Sequence, residues 1–212
     1  TKFYLQDTHG VAQRLSSLDQ GTYTPDLSRS GLHFPMVKNF PQNTEVEATI
    51  TLTGKATGAY IKSVVPSPNS ITVRQRHSFV QLPDDQYTPR LFDPRSGFNR
   101  VTFMDFSTPI AEPIEKRYIT RHRLIKKDPI SALSEAVEPI VYYLDPGTPE
   151  PIKSALLEGG NWWNQAFEAA GFKNAFRVEI APQGMDFLDV RYNVIQWVHR
   201  STRGWSYGAS VR

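Results

Sequence analysis

The sequence predicts an α+β protein: a mainly-β unit over residues 1–128, a linker over 129–139, and a strand–helix–strand–strand unit over 140–212. Three observations predict it. Glu45 to Thr53 alternates strictly, with Val46, Ala48, Ile50 and Leu52 on one side and Glu47, Thr49, Thr51 and Thr53 on the other. That is the period of a half-buried strand. From Thr148 to Gly171 the apolar period changes to that of a helix. Short apolar runs stand on both sides of that helix, the grammar of parallel strands joined by a right-handed crossover.

Taken in order, Ile71 to Val80 is a second strand, rich in branched and aromatic residues. Gly97 to Asp105 is a third, entered through the turn chemistry of Asp93-Pro94-Arg95-Ser96-Gly97. Glu115 to Asp128 interleaves Lys116, Arg117, Arg121, Arg123, Lys126 and Lys127 with Tyr118, Ile119, Leu124 and Ile125. No glycine loop accompanies these cations, so the stretch reads as a strand with one solvated face rather than a phosphate cradle.

Ile140 to Leu144 opens the second unit and is stopped by Asp145-Pro146-Gly147. Thr148-Pro149-Glu150 supplies a hydroxyl N-cap, a proline at the first helical position and an acid facing the positive helix end. Ile152, Ala155, Leu156, Gly159, Trp163, Ala166, Phe167 and Ala170 make one stripe, expected to be buried, and Trp162 and Trp163 read as core. Gly159-Gly160 costs roughly 1 kcal/mol per glycine in mid-helix, which predicts close approach of the helix backbone to a sheet or loop. Gly171 supplies the left-handed stop. Ala175 to Ile180 is the next strand. Asp189 to His199, apolar on both sides, is expected to be a central, fully covered one.

Composition narrows the function classes. An apolar content of 39% with 21% charged residues is that of a folded domain. A formal charge of +3 is too small to argue for nucleic acid. The absence of cysteine excludes disulfides and thiolate-ligated metals. No apolar run approaches the ~20 residues that span a bilayer, and no signal peptide opens the chain. The sequence begins at Thr1 and ends inside a strand-like stretch, which leads us to expect a piece of a longer protein.

The chemistry-bearing motifs are sparse. Gly204-Trp205-Ser206-Tyr207-Gly208 matches the G-x-S-x-G of serine hydrolases. A nucleophile elbow needs a helix after the serine and an acid and a histidine later; Tyr207 to Val211 alternates instead, and no Asp, Glu or His comes after it. His9, His33, His77, His122 and His199 contain no pair four apart, so there is no H-E-x-x-H. His199 reads as structural. Asp186 and Asp189 could serve calcium but read as a solvated turn, and Glu135 and Glu138 have no apolar pocket around them.

Two long runs carry a resemblance. "YYLDPGTPEPIKSALLEGGNWWNQAFEAAGF" (142–172) and "DVRYNVIQWVHRSTRGWSYGASVR" (189–212) resemble the start of the catalytic domain in a family of large bacterial zinc-dependent metallopeptidases of the metzincin type. Upstream, "DPRSGFNRVTFMDFS" (93–107) and "RYITRHRLIKKDP" (117–129) resemble the domain of unknown function that precedes it. The resemblance implies an incomplete metzincin-like subdomain: strand, long helix, strand, strand, then an edge strand above the cleft. It implies an exported parent acting on peptide or protein substrates, with zinc held by residues beyond this chain, in the remainder of the catalytic domain. No catalytic or metal-binding residue is therefore expected here, and the chain alone is expected to be inactive. Tyr207, Gly208, Ala209, Ser210 and Val211 match the position of the edge strand, which would bind substrate by main-chain hydrogen bonds. Two other readings stand beside this one: a non-catalytic binding or pro-segment-like module, and a serine hydrolase acting through Ser206.

Overall fold

The computed structural model describes residues 2–84 and 86–198. The fold is α+β, many strands in several sheets with a few short helices. The chain forms two compact units: residues up to Leu82 together with Asp186–Arg191, and Pro83–Met185 with the chain from Tyr192 onward.

In the first unit, α1 (Val11–Ser17) precedes β1 (Gly21–Pro25), β2 (Gly31–Leu32), β3 (Lys38–Asn39), β4 (Asn43–Ala56), α2 (Ala59–Val64) and β5 (Ser70–Val80). The 14-residue β4 organises the sheet. β1, β2 and β3 pair in turn along one of its edges and β5 along the other, all antiparallel. The predicted alternation is realised: Ala48, Ile50 and Leu52 are buried on one face with Tyr23, Ile61 and Ile71. Ile50 and Leu52 are fully covered, each contributing about 1.5–3 kcal/mol.

The N-terminal segment closes this face. Both Asp7 carboxylate oxygens accept from α1, at Val11 N and Ala12 N, each 2.8 Å. Oδ1 also accepts from Gln75 Nε2 at 3.0 Å, and Thr8 Oγ1 meets Gln75 Oε1 at 3.3 Å. On β5, His77 lies against Tyr4 edge-on (5.5 Å) and beside His9 (5.8 Å). Burial, and then the neighbouring His9, hold the His77 imidazole below its usual 6.5. Its unfolded value is the higher one, so unfolding takes up a proton; this stabilisation is present above pH 6.5 and is lost as pH falls from there through the lower value of the folded state. Amide exchange in Val11–Ser17, corrected for intrinsic rates, is therefore expected to quicken between about pH 8 and 5. His77→Phe should flatten that dependence; an unchanged pH response in the variant refutes the assignment.

The opposite face of β4 is polar and partly covered. Asn43 Nδ2 donates to Glu45 Oε1 (2.7 Å) and Leu188 O (2.8 Å), while Asn43 Oδ1 accepts from Val190 N (3.1 Å). Asp186 forms an ion pair with Lys38. Asp189, 4% exposed, takes Arg191 in a bidentate grip. The expected solvated turn at Asp186 and Asp189 is thus a strap, fastened to β4 by Asn43 and to β3 by Lys38, in which each acid also accepts from a backbone N–H of the strap itself.

In the second unit, β6 (Arg100–Met104) and β7 (Glu115–Ile119) form an antiparallel ribbon. Farther along come β8 (Ser134–Glu135), β9 (Ile140–Leu144), α3 (Ile152–Asn161), α4 (Asn164–Ala169), β10 (Phe172–Lys173), β11 (Phe176–Ile180) and β12 (Asn193–Ile195). β9 lies at the centre of a parallel sheet in the order β11-β9-β12. β8 and β10 pair beside it, also in parallel.

Three sequence expectations change here. The segment expected as a central strand over 189–199 is β12 alone, three residues at one side of the sheet, because 186–191 leaves to form the strap. The single helix from Thr148 starts at Ile152 and is two α segments joined by a tighter turn at Trp162–Trp163, where Trp163 N bonds Gly160 O. Thr148 spends its hydroxyl on Asp145 O rather than on a cap. Third, Trp162 and Trp163 are each 63% exposed, not core. The half-buried line of the helix is Lys153, Leu157, Gly160, Asn164 and Phe167, roughly a third of a turn from the predicted stripe. Gly171 does end the helix, at φ +90 with its N–H on Glu168 O.

Candidate functional site

The sheet of the second unit reverses direction at β9: the chain goes from β9 to β11 on one side, then back across to β12 on the other. In open parallel sheets, ligand sites lie at the carboxyl ends of the strands beside such a switch point. Here that place is the turn after β9, and Asp145 occupies it.

Asp145 ties β9 to β12 and to the turn between them. Its N–H donates to Ile195 O at 2.9 Å, continuing the β9–β12 ladder. Its carbonyl accepts from Thr148 N (3.0 Å) and Thr148 Oγ1 (2.8 Å), the latter on a side chain almost wholly buried. Carboxylate Oδ1 accepts from Gly147 N at 2.8 Å and Oδ2 from Trp197 N at 3.3 Å. The side chain is therefore a splint between the β9 turn and the chain leaving β12. Each oxygen thus carries one backbone N–H, and the side chain joins two loops.

The two edges of the sheet are treated differently. On the β11 side, Asn161 Oδ1 accepts from Val178 N (2.9 Å) and Nδ2 donates to Val178 O (3.0 Å). Asn164 Oδ1 accepts from Phe176 N at 3.4 Å. These helix amides stand in for a neighbouring strand and close that edge to further pairing. Among the described residues, β12 has β9 as its only strand neighbour.

A hollow of about 350 Å³ is lined by Lys127, Glu135, Ala136, Pro139, Asn174 and Arg177. The hydrogen bond from Lys127 Nζ (2.8 Å) holds the Glu135 carboxyl below the usual range. The hollow offers opposed charges that already satisfy one another and no nucleophile with a base. Among the described residues no group of three or more histidine or acidic side chains is placed to hold a metal ion.

A family model for a domain of unknown function, DUF5117, matches residues 1–127. The chain belongs to the DUF5117 family. No curated protein and no solved structure matches it. In this DUF5117 protein the candidate site lies at residues 144–148 and 193–197, outside the matched span. No helix among the described residues is long and apolar enough to cross a membrane.

The residues singled out from the sequence fall in different places. Tyr207, Gly208, Ala209, Ser210 and Val211, together with Ser206 and His199, lie outside the described residues. His9 and His77 come together; His33 stands 4.0 Å from Glu47 on β4. Asp145 was legible in the sequence only as a turn former. Its partners Ile195 and Trp197 lie 50 and more positions away, and the Asp-Pro-Gly-Thr string contains no sign of them.

Proposed function

We propose that this chain is the N-terminal part of an exported bacterial zinc-dependent metalloendopeptidase, with residues 140–212 forming one lobe of the substrate cleft. The observation that carries the reading is the resemblance of 142–172 and 189–212 to the opening of a metzincin-type catalytic domain. The order strand, helix, strand, strand and the parallel pairing of β11 and β12 on β9 support it. So does the asymmetry of the sheet edges, since Asn161 and Asn164 occupy the side where an added strand would otherwise compete. In this reading Tyr207–Val211 adds beyond β12 and offers its backbone to an extended peptide. Asp145 sets the direction in which the chain leaves β12.

In this reading the zinc ligands lie in the remainder of the catalytic domain and not in this chain. The sequence has no H-E-x-x-H, and the described residues contain no metal-ligating cluster. The chain by itself is expected to show no peptidase activity and no stoichiometric zinc by elemental analysis. The parent reading frame is expected to show both, and a proline at Ala209 in the parent should raise KM far more than it lowers kcat. A parent reading frame without a zinc-binding helix, or one that cleaves no peptide, refutes the proposal. A fluorophosphonate adduct on Ser206 would favour the serine-hydrolase reading instead.

A further inference from the structure

Of the apolar stripe that the sequence places on the helix, Phe167 faces the sheet and the large residues before it do not. Ile152, Leu156, Trp162 and Trp163 are all exposed, and with Gly159 and Ala166 they run along the outer side of α3 and α4. The sheet side is made by Gly160, against Val178, and by Phe167, stacked on Phe176 at 5.5 Å. A contiguous row of exposed large apolar side chains marks a surface for protein–protein contact.

The outer face has a particular relief. Gly159, Trp162, Trp163 and Ala166 line a shallow notch of about 290 Å³. That is roughly ten water molecules' worth of space, room for an indole. A projecting indole and a notch that admits one thus stand on the same surface. The large and small residues are also arranged symmetrically about position 161. Trp163 mirrors Gly159, Leu156 mirrors Ala166, and Ile152 mirrors Ala170. Two such helices laid antiparallel about a twofold axis near residue 161 set Trp163, Leu156 and Ile152 each opposite a small residue. Self-complementarity of a single patch is the condition for an isologous dimer.

We propose that the outer face of α3 and α4 is a homodimer interface, with Trp163 of each copy seated over Gly159 of the other. The area is sufficient. Two tryptophans at 63% exposure, with Ile152, Leu156 and the alanines, leave about 500 Å² uncovered per copy. Pairing removes about 1,000 Å² in total, the lower bound for a specific interface.

Sedimentation velocity on the whole chain, from about 1 to 200 µM, tests this. The chain is expected to pass from monomer to dimer with a dissociation constant on the order of micromolar. Trp163→Glu places a charge in the centre of the contact and is expected to leave the chain monomeric throughout. Gly159→Leu fills the notch and should do the same. A β-carbon at Gly159 meets nothing within 4 Å in the single chain, and circular dichroism checks that the variant keeps its fold. A wild-type chain monomeric over the whole range overturns the proposal, whatever other molecule the face would then accept. Dimerisation of both variants as tight as wild type also overturns it, by locating the contact elsewhere.

Discussion

Asn43→Leu is expected to destabilise the first unit by about 3–5 kcal/mol. Asn43 is 4% exposed, and its amide makes three bonds that no neighbour can replace. A leucine leaves Leu188 C=O and Val190 N–H without their partner. It also removes the donor to Glu45 Oε1 on a carboxylate that is itself 3% exposed. Only Oε2 of Glu45 keeps its bonds, to Ser78 Oγ at 2.6 Å and Arg76 Nε at 3.5 Å. A dry carboxylate oxygen costs more than a dry amide, so most of the loss is placed on Glu45.

Urea denaturation measures the total, and trypsin measures the strap. The strap ends at Arg191, whose guanidinium is held by Asp189. Cleavage after Arg191 is expected to be slow in the native chain and at least tenfold faster in Asn43→Leu. Asn43→Leu/Glu45→Gln should recover part of the lost stability, because a neutral amide tolerates desolvation better than a carboxylate. A stability change below about 1 kcal/mol with unaltered cleavage at Arg191 shows that the strap is not fastened by Asn43.

How far the fold can be read from the sequence depends on where each element finds its partners. β4 is legible because its pattern is local: branched residues alternate with threonine and glutamate, and both faces of the strand are set by that alternation. Gly171 is legible because a left-handed stop is a property of one residue. The helix in the second unit is legible as a helix but not in its phase. Tryptophan, isoleucine and leucine dominate any apolar count, so the stripe through Trp163 looks like the buried one. The sheet side instead uses Gly160 to bring backbones together, and Asn161 and Asn164 to satisfy the edge of β11. No hydrophobic scale gives weight to a glycine or an asparagine. The strap escapes for a related reason: Asp186–Arg191 is continuous in pattern with β12, and the groups that pull it away, the amide of Asn43 and the ammonium of Lys38, lie some 145 positions earlier.

The adjacent glycines of α3 give the sharpest test of that geometry, since Gly159→Ala and Gly160→Ala are expected to move stability in opposite directions. At Gly159 a methyl meets nothing within 4 Å, so alanine only removes the glycine's entropic penalty and should stabilise by about 1 kcal/mol. At Gly160 the same methyl would lie 2.6 Å from Val178 Cγ2 and 3.3 Å from its Cβ. Val178 cannot retreat easily. It is 4% exposed, its strand is paired in register with β9, and its backbone is held on the other side by Asn161. The helix must lift, stretching the Asn161 bonds and the Phe167–Phe176 stack. Overpacking of this kind costs about 1–3 kcal/mol, against the same helix-propensity gain of about 1, for a net loss of up to about 2. Thermal melts at low protein concentration, below the range of self-association, read both numbers on the monomer. Val178→Ala should then cost less in the Gly160→Ala background than in the wild type, because the second methyl refills part of the space the first substitution opens. Shifts of the same sign at both glycines, or additive costs for Gly160→Ala and Val178→Ala, would mean that α3 does not pack on β11 through Gly160.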